Sequence, residues 1–185
     1  EAYDLKDAYK KGVSAFAKPR LKEIHFSPQA TKLITKGEIK TPTDLWAISA
    51  IAHETAHVAG DPPQLLRKWD TKKRCDIIDE GMTEIIATRF ILNNLQMPRQ
   101  LRVQELGIGK YRLPATIAYD KYVKIVSDMA LLSANGNPNK AIEWIYDVYF
   151  GPLKEKEKAL QRFKENWYKY STPYMKRKYF NKALN

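Results

Sequence analysis

The sequence predicts an α+β chain that is mostly helical, with a small β element near the N-terminus and a helical C-terminal part. Three observations predict it. Segments around 43–59, 72–96, 115–134, 139–150 and 153–169 carry apolar residues at helical spacing. One short stretch between two prolines, "KPRLKEIHFSP", alternates imperfectly through Leu21, Glu23, Ile24 and Phe26, as a strand does. Pro114, "NGNPN" and Gly151-Pro152 separate the later helices. No internal repeat, low-complexity segment or domain linker interrupts the chain, so one domain over 1–185 is expected.

In chain order, "DLKDAYKKGVSAFA" has helical spacing and the strand follows it. "QATKLITKGEIKTP" reads as a second strand or a short helix, ending in a turn at Gly37. Thr41-Pro42-Thr43-Asp44 is a helix start: Thr41 can cap, Pro42 suits the first helical position, and Asp44 places a carboxylate in the first turn. Gly60 before Asp61-Pro62-Pro63 is the matching stop.

Composition bounds the function. The 185 residues are enough to bury a core, and 44% hydrophobic with 29% charged residues is a globular balance rather than a disordered one. No apolar run is long enough to span a bilayer. The single cysteine, Cys75, has no internal disulfide partner. The chain opens on Glu1 rather than Met, as a processed or trimmed product does, so a missing signal peptide says nothing about compartment. The net charge of +11 is either a solvated lysine-rich surface or a basic surface for an anionic partner such as nucleic acid, a cell-wall polymer or a membrane. Its densest cluster, "NWYKYSTPYMKRKYFNKALN", interleaves bases with aromatics, as a nucleic-acid stripe or a docked terminal segment would.

The informative stretch is "AISAIAHETAHVAGDPP". It holds two of the three histidines in the chain, His53 and His57, with Glu54 beside the first. Four residues apart on a helix, the histidines project from successive turns on one face, where both can grip one ion. Along that helix Leu45, Ile48, Ala52 and Ala59 form an apolar stripe, and Trp46, Ala50, His53 and His57 form another. Glu54 lies about 100° around the helix. There it can reach a water on the ion but is badly placed to ligate it. This is the chemistry of H-E-x-x-H: two neutral imidazoles bind Zn²⁺ and the carboxylate takes the water's proton. A chain with 3 histidines among 185 residues gives this pattern by chance only about 0.003 times.

A zinc site of this kind needs at least one more protein ligand. His25 is the remaining histidine, but "RCDIIDEGMTEIIATRFIL" offers carboxylates on one helix face, with Glu80 and Glu84 four apart and Asp76 in line. Ile77, Ile78, Ile85 and Ile86 are its packing side.

"HETAH" followed by "DEGMTEII" resembles the gluzincin metallopeptidases, thermolysin-like and above all aminopeptidase N-like; in the latter branch the Glu directly before Gly is the third zinc ligand. The resemblance covers residues from about Leu45 to Leu132. It implies a zincin-like core, one Zn²⁺ per chain on His53, His57 and Glu80, and Glu84 orienting a histidine ligand from behind. Asp79 stands where the family's usual Asn does, and 22 residues lie between His57 and Glu80, more than in that branch. Tyr119-Asp120-Lys121 is similar to the family's oxyanion stretch, which implies Tyr119 as a donor to the tetrahedral oxygen. Tyr122 replaces the following Gly, and Tyr122 and Tyr111 are the alternatives. No "GAMEN"-like amine-binding segment is present, which favours an endopeptidase over an aminopeptidase.

The function expected is therefore a zinc metallopeptidase that hydrolyses peptide bonds in a peptide or protein substrate with a zinc-activated water, Glu54 serving as base. Two rivals stand beside it. One is a catalytically retired zincin whose basic surface docks an anionic partner. The other is a zinc hydrolase acting on cell-wall peptide amides.

Overall fold

The structure, a computed structural model, describes residues 15–18, 21–36, 42–60, 72–94, 105–106, 113–114 and 120–170. Strands β1 (Ala15–Lys18) and β2 (Glu23–Phe26) pair antiparallel, with Phe16 opposite His25 and Ala17 opposite Ile24. The turn between them passes through Lys22 at φ 54°, and the rings of Phe16 and His25 stack at 4.9 Å. The helical reading of 4–17 is thus corrected at its end, where residues 15–17 are strand. Their alanines have no strand preference of their own. Pairing with β2 and contact with the histidine helix impose the extended form.

Helix α1 (Pro28–Lys36) settles the strand-or-helix alternative. Ser27 caps it by accepting the Ala30 N–H at 3.2 Å, and Pro28 takes the first helical position, where its missing N–H is harmless. Helix α2 (Pro42–Gly60) carries the two histidines and α3 (Lys72–Asn94) carries Glu80 and Glu84. A two-residue antiparallel pair, β3 (Glu105–Leu106) with β4 (Leu113–Pro114), had no sequence signal. Helices α4 (Asp120–Ser133), α5 (Pro138–Phe150) and α6 (Leu153–Tyr170) complete the described residues.

The "NGNPN" breaker turns α4 into α5 through a Schellman stop. The Gly136 N–H donates to Leu131 O at 2.7 Å and the Asn135 N–H to Leu132 O at 3.0 Å. Asn135 and Gly136 both sit in the left-handed region, at φ 52° and 77°, which these two residue types tolerate best. Asn137 then caps α5 by accepting the Lys140 N–H, with Pro138 behind it.

Helix α3 runs through the middle of the packing, against α2, α4 and α5. From Ile77 to Thr88 every residue is buried except the half-buried Glu80. Ile77, Ile78, Ile85, Ile86 and Met82 join Val126, Met129, Ile145 and Phe163 in one apolar cluster. Yet Asp79, Thr83, Glu84 and Thr88 are buried on the same helix, and each needs a polar partner there. Gly81 lets α4 approach closely. A Cβ at that position would lie 2.5 Å from Val126 Cγ2 and 2.8 Å from the Tyr122 carbonyl oxygen. Gly81→Ala is therefore expected to destabilise by about 1–3 kcal/mol, since backbone as well as a side chain must give way. Denaturant unfolding of the two proteins checks this, and equal midpoints would show that the helices separate freely.

Helix α2 turns a different side to the core than its apolar stripe suggests. Leu45, Ser49, His53, Ala56, His57 and Gly60 are the buried line, whereas Ala59 is exposed and Ile48 and Ala52 are half-buried. The histidine stripe faces inward because α3 meets it with polar side chains. Trp46, from the same sequence stripe, lies near the helix start and is exposed.

No helix among the described residues is long and apolar enough to cross a membrane. The exposed face of α6 mixes both signs, as where Lys158 pairs with Glu155 at 2.8 Å, rather than presenting a single-sign stripe. The basic aromatic cluster of the C-terminus lies mostly outside the described residues.

Candidate metal centre

Helix α2 supplies His53 and His57 on one face, one turn apart, and α3 lays Glu80 across them. His53 Nε2 lies 3.1 Å from His57 Nε2 and 3.0 Å from Glu80 Oε2, and His57 Nε2 lies 3.6 Å from that same oxygen. One ligand atom from each of these residues thus falls within 4.8 Å of the others.

The far side of each imidazole is also engaged. His53 Nδ1 lies 2.8 Å from Glu84 Oε2, deep in the core where Glu84 is 1% exposed. His57 Nδ1 lies 3.3 Å from Thr83 Oγ1 and 3.6 Å from Asp79 Oδ2. Two doublets on α3, Asp79-Glu80 and Thr83-Glu84, thus serve the two rings. Glu80 and Glu84 flank His53, while Asp79 and Thr83 back His57. With both Nδ1 atoms on oxygen partners, two Nε2 atoms and a carboxylate oxygen converge on one point. Three acceptors at such a point are stable only around a cation, whether a proton or a metal ion.

No family model, curated protein or solved structure matches this chain. The geometry decides the assignment. A His53-Glu54-x-x-His57 cluster completed by a distal glutamate is the arrangement of a gluzincin-type HExxH zinc-metallopeptidase centre.

Within this gluzincin-type centre the electrostatics favour a cation. Burial works against charging His53, but hydrogen bonds to Glu80 and Glu84 outweigh it and push His53 up to about 9. Burial likewise works to raise Glu80, yet the hydrogen bonds and charges of the two histidines hold it down at about 2. Without metal, His53 therefore holds a proton at the point where the acceptors converge. That proton is retained until the pH rises through about 9, so metal affinity is expected to climb with pH up to there. Zinc uptake at about pH 7.5 should release close to one proton per ion from His53. Calorimetry in buffers of different ionisation heat reads this number directly, and a value near zero would show that His53 is neutral before the ion arrives.

Glu54 reaches toward β1 while staying close enough to His53, His57 and Glu80 to feel their charges. Its Oε2 accepts the Ala17 N–H of β1 at 2.7 Å, and burial raises its pKa against the pull of His53 and His57. The hairpin thereby fixes this carboxylate. Asp79 is raised by burial in the same way, with His57 and a hydrogen bond from Tyr149 opposing. Tyr149, on α5, is fully buried and donates to Asp79, and its hydroxyl lies 2.6 Å from Thr83 Oγ1.

Of the remaining sequence candidates, His25 stands apart on β2, with Nε2 3.2 Å from Glu23. Tyr119 and Tyr111 lie outside the described residues. Tyr122 is half-buried on α4, packed against the apolar cluster. Sequence reasoning missed Tyr149 and the Ala17 contact to Glu54. The doublets of Asp79-Glu80 and Thr83-Glu84, repeated at spacing four, were a signal for the partners of His57. Tyr149, one of 11 tyrosines and 70 residues beyond Asp79, had none.

Proposed function

We propose that this chain is a zinc-dependent endopeptidase, holding one zinc per chain on His53, His57 and Glu80. The observation that carries the reading is the convergence of His53 Nε2, His57 Nε2 and Glu80 Oε2 while both Nδ1 atoms are taken up by oxygen partners. The donor set fits: two imidazoles and one carboxylate leave a position open, as catalytic zinc sites do and structural sites do not. Glu84 lies on the Nδ1 side of His53, away from the convergence point, and so acts as the group that orients that ring.

A zinc ion held there supplies Lewis acidity, lowering the pKa of a water and polarising a carbonyl oxygen. Glu54 does the proton work. With Oε2 on the Ala17 N–H, its other oxygen takes a proton from the water as the water's oxygen bonds to the scissile carbonyl carbon. It then delivers that proton to the leaving nitrogen as the C–N bond breaks. Burial works to raise its pKa, the direction that favours a base. An intact, positioned Glu54 supports hydrolysis over a purely structural ion, which gains nothing from it. Tyr119 remains the proposed oxyanion donor, on the family pattern alone.

A mixed peptide library incubated with the protein tests the reading. Internal cleavage that stops on chelation and returns with added zinc is expected. No cleavage by zinc-loaded protein, or cleavage indifferent to chelator, would overturn it.

A further inference from the structure

Behind the two rings the chain holds a hydrogen-bond path that the reaction itself does not use. Tyr149 is fully buried on α5, and its hydroxyl reaches both Asp79 Oδ1 and, at 2.9 Å, the Asp79 backbone carbonyl. Both are acceptors, so the single phenolic proton points to Asp79. Thr83 Oγ1, 2.6 Å from the same hydroxyl, must then be the donor to Tyr149. With its proton spent there, Thr83 Oγ1 faces His57 Nδ1 at 3.3 Å as an acceptor. Every proton along the path has one direction: His57 Nδ1–H to Thr83, Thr83 O–H to Tyr149, Tyr149 O–H to the carboxylate. A carboxylate at the end fixes the tautomer of the histidine at the start. The lone pair of His57 Nε2 is thereby left facing His53 and Glu80.

The ring of Tyr149 also lies against the end of α2. A Cβ on Gly60 would come within 2.5 Å of its Cδ1, so only glycine lets the ring seat there. The same side chain thus clamps the C-terminus of the histidine helix and orders the polar groups of α3.

We propose that Tyr149 is a positioning residue of the metal centre. It sets the tautomer and direction of His57 through Thr83 and Asp79 without touching the ion or substrate. This inference rests on the zinc reading above.

The test is zinc affinity, measured by competition with a chromophoric chelator, alongside thermal melts of the metal-free proteins. Tyr149→Phe keeps the ring on Gly60 and removes only the hydroxyl. Its zinc affinity is expected to fall roughly 10–100-fold, the usual effect of losing an outer partner of a ligand. Thr83→Val cuts the path at its middle and should lose affinity to a similar degree, while Thr83→Ser keeps the hydroxyl and should retain it. In the double variant the two losses should not add, because both break one path. A merely structural role would lower the metal-free melting temperature and leave zinc affinity alone. Affinities for Tyr149→Phe and Thr83→Val within twofold of the parent, or fully additive losses, would overturn the proposal while leaving the zinc site standing. A parent protein that takes up no zinc overturns both.

Discussion

Glu54→Gln should keep its zinc and lose its peptidase activity, with kcat/KM down by at least about 10²–10⁴-fold. The amide is isosteric with the carboxylate and can still accept the Ala17 N–H through its oxygen, so the hairpin contact survives. What disappears is the capacity to take a proton. None of the three converging ligand atoms belongs to residue 54, so metal content should be unchanged. Zinc content and peptide turnover measured on the same preparation separate the two effects. A variant that turns over at the parent rate would show that some other group is the base. One that loses zinc together with activity would show that Glu54 supports the site rather than the chemistry.

Glu80→Ala and Glu84→Ala should fail in different ways, although the residues are one turn apart on the same helix. Removing Glu80 deletes one of the converging atoms, and the variant is expected to retain almost no zinc after gentle purification. Removing Glu84 leaves that point intact but strips His53 Nδ1 of its partner, so zinc affinity should fall only about 10–100-fold. The second variant should instead be the less stable. Glu84 is 1% exposed, and its loss opens a buried gap beside Thr88 and removes a buried hydrogen bond to the His53 ring, which costs about 1–3 kcal/mol. Zinc titration and melting of the metal-free variants give the two readouts. Equal zinc retention in both would place the third ligand outside this pair.

The parts of this chain that could be read in advance are those whose cause is local. The histidine helix runs from Pro42 to Gly60 among the described residues, the limits its sequence leads one to expect, because proline and glycine act through their own backbone limits. The mostly helical plan with an N-terminal β element followed from periodicity in the same way. What escaped has distant causes. Ala15, Phe16 and Ala17 would suit a helix, and become strand only because β2 and α2 lie against them. The buried side of α2 could not be inferred from hydrophobicity, because its core-facing line contains Ser49, His53 and His57 and is matched by carboxylates rather than by leucines. Tyr149 meets Asp79 across 70 residues, a distance over which no spacing rule operates.

Those distances carry a consequence for how the protein assembles. The α4–α5 turn forms from neighbours a few residues apart and can close early. The bonds that finish the histidine helix come late in this sense: Lys156 Nζ reaches the Gly60 carbonyl, 2.6 Å away, across 96 residues of chain. A nascent chain that has just completed "HETAH" and "DEGMTE" holds every proposed ligand, yet neither Tyr149 nor Lys156 exists to set them. Each must wait for loop closures whose entropy is repaid only when α5 and α6 dock. The proposed ligands and base are therefore complete by residue 84, while what sets their geometry is supplied by the last third of the chain. A folding intermediate can carry the whole motif and still lack the centre.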